Sequence, residues 1–220
     1  MMIMEWDLTF ESLTDDEARQ LGKFFSEMRG NLGAFGFLDP LGNLLRWSED
    51  LSDPIWEKDA LLDVTSGHPD VFGSDSGHVL FNSTQLPRGV QQTVNAPNEY
   101  GYCFSAWVRS ATGGRVSLTI GNHRVERTVN PFWTRVFNSR SGEATGESVT
   151  FQLEIEANGS VEVCGLQAEP QLAPSPYRRN GPAGGTYPDA RFRDAVLTIS
   201  AKGPDRNSCR FTVVSNANSL

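Results

Sequence analysis

Residues 147–181 read ESVTFQLEIEANGSVEVCGLQAEPQLAPSPYRRNG, and they constrain the fold more tightly than any other stretch of the chain. Val149, Phe151, Leu153 and Ile155 alternate with Thr150, Gln152, Glu154 and Glu156. A period of two puts one set of side chains on each side of a pleated strand, so this is a half-buried antiparallel strand. Asn158-Gly159 predicts a type I′ hairpin turn, because both residues tolerate positive φ. The returning strand begins at Val161 and Val163 and runs to Leu166. Pro170, Pro174 and Pro176 lack a backbone N–H, so there the chain must leave the sheet. A β domain is therefore closed and exited well before the C-terminus.

The stretch upstream has the same character. Leu61, Leu62 and Val64 read as a strand, and so do Val79–Asn82 and Val90–Val94. Tyr102, Phe104, Ala106 and Val108 alternate with Cys103, Ser105, Trp107 and Arg109; Val116, Leu118 and Ile120 follow, and then Trp133–Phe137. Pro87-Arg88-Gly89 and Gly113-Gly114 supply turns. Seven or eight short strands with no amphipathic helix among them predict an antiparallel β-sandwich or jelly roll over 51–181.

The two ends read differently. Trp6, Leu8 and Phe10 alternate, which predicts a strand over 3–11. Thr14-Asp15-Asp16-Glu17 fits a capping box, with two aspartates on the positive end of the helix dipole. Ala18, Leu21, Phe24, Phe25 and Met28 follow at helical spacing, and Gly30 is placed to take the left-handed C′ position of a helix over 15–29. Phe35 and Phe37 make a short strand that Asp39-Pro40 ends. At the other end, Asn180–Gly185 is a glycine-rich linker. Beyond it, 191–202 and 208–215 read as a hairpin turned by Gly203-Pro204-Asp205. A lone hairpin is marginal in water, and a β–α–β unit of this size buries too little surface to stand alone. The two deficits complement each other. They predict that 1–50 and 182–220 pack as one split α+β, barrel-like domain, with the sandwich inserted between them.

Composition excludes several classes of function. With 19 Lys+Arg against 27 Asp+Glu the net charge is −8, which argues against a general nucleic-acid binder. No run approaches the length of a membrane span. The N-terminus lacks the basic and apolar regions of a secretory leader, so folding in a cytoplasm is expected. Cys103, Cys164 and Cys209 are odd in number and far apart, which predicts free, buried thiols. There is no HExxH and no P-loop, and in Gly73-Ser74-Asp75-Ser76-Gly77 aspartate stands where a nucleophile elbow needs serine. No catalytic residue and no cofactor is expected. The loop 67–78 gathers His68, Asp70, Asp75 and His78, but at a spacing that matches no defined metal loop, so no metal is assigned.

Sugar recognition remains open on chemical grounds, because it combines an aromatic plane with a few planar polar groups. Tyr100, Trp107, His123, Phe132 and Trp133 are the candidate planes, and Arg109, Asn122 and Arg135 their polar neighbours. Each aromatic has a competing role as a core residue. Glu154 and Glu156 lie on the polar face of their strand and read as solvated.

Two resemblances add to this. The run WDLTFESLTDDEARQLGKFFSEMRGNLGAFGFLDPLGNLL, above all Phe35-Gly36-Phe37-Leu38-Asp39-Pro40 with Asn43-Leu44-Leu45, resembles the N-terminal part of distal-tail-type proteins of phages and gene-transfer agents. That resemblance implies a ring-forming domain, a hexameric assembly, neighbours among tail-tube and hub proteins, and a place in a virion tail. Trp6, Phe35, Phe37, Phe192 and Phe211 are the candidate ring-assembly residues. The motifs TyrCysPheSerAlaTrpValArgSer (102–110), CysGlyLeuGlnAlaGluPro (164–170) and Ser175-Pro176-Tyr177 resemble the galactose-binding-like, carbohydrate-module jelly rolls of phage tail proteins. They imply contact with a cell-surface polysaccharide through Tyr100, Trp107, Arg109, Asn122, His123 and Trp133. The other expectation is a free-standing carbohydrate-binding or adhesin-like module with no part in tail assembly.

Overall fold

The computed structural model describes residues 3–142 and 145–216. Over these residues the protein is mainly β, with three five-stranded antiparallel sheets and one α-helix. The chain divides into two compact units, 1–37 with 187–220, and 38–186.

In the terminal unit, β1 (Ile3–Leu13) pairs along its length with β15 (Arg206–Asn216), so that Trp6 lies opposite Val213 and Leu8 opposite Phe211. The sheet order is β1-β15-β13-β2, with β2 at Phe35–Leu38 and β13 at Thr186–Phe192. The strand β14 (Ile199–Gly203) forms a hairpin with β15. Residues 193–198, expected to extend that hairpin, are not strand; Val196 within them is exposed. The helix α1 (Asp15–Glu27) starts with the capping box: Thr14 Oγ1 accepts from Glu17 N–H at 3.2 Å, and Thr14 N–H donates to Glu17 at 2.8 Å. Its C-terminus is a Schellman turn shifted by one residue from the expected cap. Arg29 takes the left-handed C′ position (φ 54°), while Gly30 N–H donates to Phe25 O from C″.

The inserted unit is the sandwich. One sheet has the order β10-β7-β12-β5-β4: Thr134–Arg140, Tyr102–Arg109, Ser160–Glu169, Gly77–Asn82 and Leu62–His68. The other has the order β3-β6-β11-β8-β9: Glu57–Lys58, Arg88–Val94, Val149–Ile155, Gly114–Ile120 and His123–Val129. Strand β9 carries only Val125 and Val129 among polar and charged residues, and the sequence does not announce it. Between the sheets lie Phe104, Phe151, Leu118, Leu153 and Leu166, all fully buried. Leu44, Leu45 and Leu51, around the expected boundary at 50, belong to this core as well.

The hairpin predicted at Asn158-Gly159 is corrected. Strand β11 pairs with β6 and β8, whereas β12 pairs with β5 and β7. The turn, closed by Gly159 N–H donating to Glu156 O at 3.2 Å, carries the chain from one sheet to the other. Only Asn158 of the pair has positive φ (55°), not the two a type I′ turn requires. The physical reason is that both strands carry a core face, and two such faces are buried equally well by facing each other across the sandwich.

Candidate functional site

The candidates separate into two groups. Tyr100, Asn122 and His123 lie at the end of the sandwich where β7 begins and β8 turns into β9. Tyr100 is exposed, while His123 Nδ1 is held 3.0 Å from Asn138 Oδ1. Trp107, Arg109 and Trp133 lie toward the other end of β7, on the face of the β10-β7-β12-β5-β4 sheet that points away from the core.

Register explains the second group. Glu162 of β12 pairs with Arg109 of β7, and Trp133 immediately precedes the register that sets Thr134 against Val108. A row Glu162–Arg109–Trp133 therefore crosses three chain segments. Arg109 donates to Glu162 at 2.6 Å, and its guanidinium carbon stands 4.7 Å from the centre of the Trp133 ring. Trp133 is half-buried, not a core residue. Phe132 beside it is 79% exposed, the most exposed large apolar residue described. Asn130 holds it there: its Oδ1 accepts from Phe132 N–H at 2.9 Å, and Thr134 Oγ1 donates to Phe132 O at 3.2 Å. An Asx turn followed by proline makes a stiff presentation loop. Asn130 and Glu162 were not singled out from the sequence; the Asn-Pro dipeptide was the available signal for the first, and nothing local marks the second.

Trp107 has a different role. Its indole meets Phe72 edge-on at 6.3 Å, and Phe72 stacks on Tyr177 at 4.9 Å and 17°. Tyr177 Oη lies 3.1 Å from Ser48 Oγ. The exit segment around Ser175-Pro176-Tyr177 thus lies over this part of the sheet. It is fastened by Arg135, which donates to Ser175 O, and by Gln167, which accepts from Arg178 N–H at 2.7 Å. Trp107 is a packing residue beneath that segment. Burial lowers the affinity of Arg135 for its proton and pushes the Cys103 thiol up to about 12 and the Cys164 thiol to about 11.

The polar face of the other sheet holds a cleft of about 310 Å³ among Arg115, Ser117, Arg124, Glu126 and Glu156. Arg115 pairs with Glu156 at 3.3 Å and Arg124 with Glu154 at 3.5 Å, so these carboxylates are matched by guanidinium groups rather than simply solvated. In the 67–78 loop the candidate ligands face separate partners. His78 reaches Glu49 O and Ser66 Oγ, and His68 reaches Thr65 Oγ1. Burial opposes ionisation of Asp70, but hydrogen bonds from the Ser74 hydroxyl and the Ser74 and Phe72 amides outweigh it and hold the carboxyl below its ordinary range. Among the described residues no three His, Cys, Asp or Glu side chains gather as a metal site. No described helix is long and apolar enough to cross a membrane.

Of the expected ring residues Phe192 is buried, and Trp6, Phe35, Phe37 and Phe211 are half-buried. Trp6 meets Tyr187 at 4.5 Å and Phe37 at 4.9 Å; Phe192 meets Phe35 at 5.0 Å and Phe211 at 5.3 Å. Their rings pack on one another within this unit.

No protein-family model and no curated protein matches the sequence. Among solved structures, the chain is similar to the carbohydrate-binding module TmCBM61 in complex with β-1,4-galactotriose, at 14% identity and a TM-score of 0.46, over 59% of this chain and 99% of that one. It is similar to the C-terminal family 22 carbohydrate-binding module of Clostridium thermocellum Xyn10B, at 14% identity and a TM-score of 0.47, over 60% of this chain and 98% of that one. It is also similar to the enzymatically active domain of tailspike protein 4 of bacteriophage CBA120, at 12% identity and a TM-score of 0.46, over 59% of this chain and 22% of that one.

Proposed function

We propose that this protein is a non-catalytic structural component of a phage or phage-like tail, whose terminal unit joins copies into a ring and whose sandwich binds host-surface polysaccharide. The observation that carries the binding half is the row Glu162–Arg109–Trp133 with Phe132 beside it. Phe132 is held in water by a capped turn, and Trp133 is pinned by a cation–π contact with Arg109, which is itself ion-paired with Glu162. An aromatic plane takes the apolar face of a pyranose ring, and the neighbouring guanidinium and carboxylate take its hydroxyls. Such a site is shallow and weak. A ring of modules compensates, because each further contact is intramolecular once the first has formed.

The assembly half is supported by the N-terminal resemblance and by the edge of β1. That strand is bonded to β15 on one side only among the described strands, leaving the other edge open over Ile3–Leu13. An open edge of this length invites pairing with another chain. Light scattering on the full chain tests this half: a ring-former elutes as a multiple of 24.2 kDa. A glycan array, repeated with Trp133→Ala, tests the other half. A monomer that binds no glycan on the array overturns both.

A further inference from the structure

The two faces of the β14-β15-β1 sheet differ in kind. One carries Ile199, Cys209, Phe211, Trp6 and Leu8 toward the interior of the unit, and α1 lies on it, with Gly22 near the Ile199 side chain. The other presents Thr9, Ser200, Ser208, Lys202, Arg206 and Arg210 around an open groove of about 600 Å³. Glu11 is the one acid in its described lining. Arg210 reaches Asp7 at 3.5 Å, but Lys202 and Arg206 form no ion pair among the described residues and stand exposed. In a chain of net charge −8, a groove lined by Lys202, Arg206 and Arg210 against the single acid Glu11, with Phe10 and Cys209 also in its lining, carries a local excess of positive charge.

The complementary surface is on the same unit. The first turn of α1 exposes Asp15, Asp16 and Glu17, a net negative cluster in which Asp16 pairs with Arg19 at 2.5 Å and Glu17 accepts from Thr14 N–H. Asn207 Nδ2 donates to Asp15 Oδ1 at 2.8 Å, and Asp15 N–H donates to Asp205 at 2.9 Å, which fixes this turn at the helix-bearing face of the hairpin. Lys202 and Arg206 share the opposite face with Ser200 and Ser208, and among the described residues they form no ion pair with these acids.

We propose that the cationic groove of one copy receives the acidic first turn of α1 from the next. This rests on the ring reading above and specifies its contact. Because the two surfaces differ, the contact is heterologous: each copy uses its groove on one neighbour and its helix on the other. A heterologous contact repeats head to tail and closes into a ring when the rotation allows. Opposite charges set its direction and its salt dependence.

Charge reversal tests it on the full chain, with circular dichroism to confirm that each variant is folded. Lys202→Glu/Arg206→Glu and, separately, Asp16→Arg are expected to reduce the assembly to single chains by light scattering. An equimolar mixture is expected to regain the wild-type mass, since reversed grooves accept reversed turns. Lys202→Gln/Arg206→Gln is expected to fall between, and added salt to disperse the wild type. If the wild type assembles and the reversed variants assemble equally well, this contact is overturned while the ring stands. If the wild type is a single chain at every concentration, the ring reading fails and this contact with it.

Discussion

The guanidinium of Arg109 lies 4.7 Å over the Trp133 ring while the same group donates to Glu162 at 2.6 Å. One arginine therefore orients an aromatic plane and a carboxylate together, on three segments brought side by side only by sheet pairing. Trp133→Ala is expected to weaken glycan binding about tenfold, or ~1.4 kcal/mol. Arg109→Lys keeps the charge but loses the planar stack, and is expected to weaken binding by less. Titration calorimetry against the best ligand from an array checks both, and unchanged affinity in Trp133→Ala removes this row as the site.

Phe132→Ser removes an apolar side chain that the fold leaves in water. Binding is expected to fall with no loss of thermal stability, because little packing is surrendered. A loss of stability as large as that of a core truncation such as Phe151→Ala, about 3–5 kcal/mol, would show that Phe132 is structural.

Gly165 sits at φ +60°, and a Cβ there would meet Phe72 at 3.0 Å and Trp107 at 3.2 Å. Gly165→Ala is expected to destabilise the sandwich by ~1–2 kcal/mol from backbone strain alone. A shifted Trp107 fluorescence maximum would report the disturbed packing beneath Tyr177, and an unchanged denaturation midpoint would contradict the argument.

Burial depresses the His78 pKa below its ordinary 6.5, against smaller opposing effects from its bond to Glu49 O and from Asp50. The unfolded chain then binds a proton that the folded one does not. The contribution is fully present above about pH 6.5 and is lost as pH falls toward the folded value. Melting temperature is expected to drop between about pH 7.5 and pH 5.5, and His78→Gln is expected to flatten that part of the profile.

Cys103 and Cys164 are buried, with thiols raised to about 12 and about 11, and the thiol of Cys209 is raised as well. Thiol reagents are expected to label none of them rapidly at about pH 8 in the folded protein, and all three in denaturant. Rapid labelling of Cys164 without unfolding would mean that the segment carrying Asp70 and Val71 lifts from its sheet.

Local chemistry was legible where a residue's role depends on its sequence neighbours. The Thr14–Glu17 box, the alternation at 149–155 and the prolines after Glu169 act within a few residues, and each appears in the structure where the pattern put it. The turn at Asn158-Gly159 was misread because positive φ describes a bend and not the destination of the strand after it. Strand β9 was missed because an edge strand with one sparse apolar face gives little signal. Of the site, Trp133 and Arg109 were legible as residue types. That Trp107 packs against Phe72, itself stacked on Tyr177, was not, since these three residues lie far apart in the chain.

The sequence by itself determined a β-rich chain with one capped helix, because propensity, capping and period-two burial are local. Only the tertiary structure decided which strands face each other, which tryptophan meets Phe72 and which lies under the guanidinium of Arg109, and that the cations of the C-terminal hairpin lie on the sheet face opposite α1. Those outcomes depend on register, where a shift of one residue exchanges the two faces of a strand.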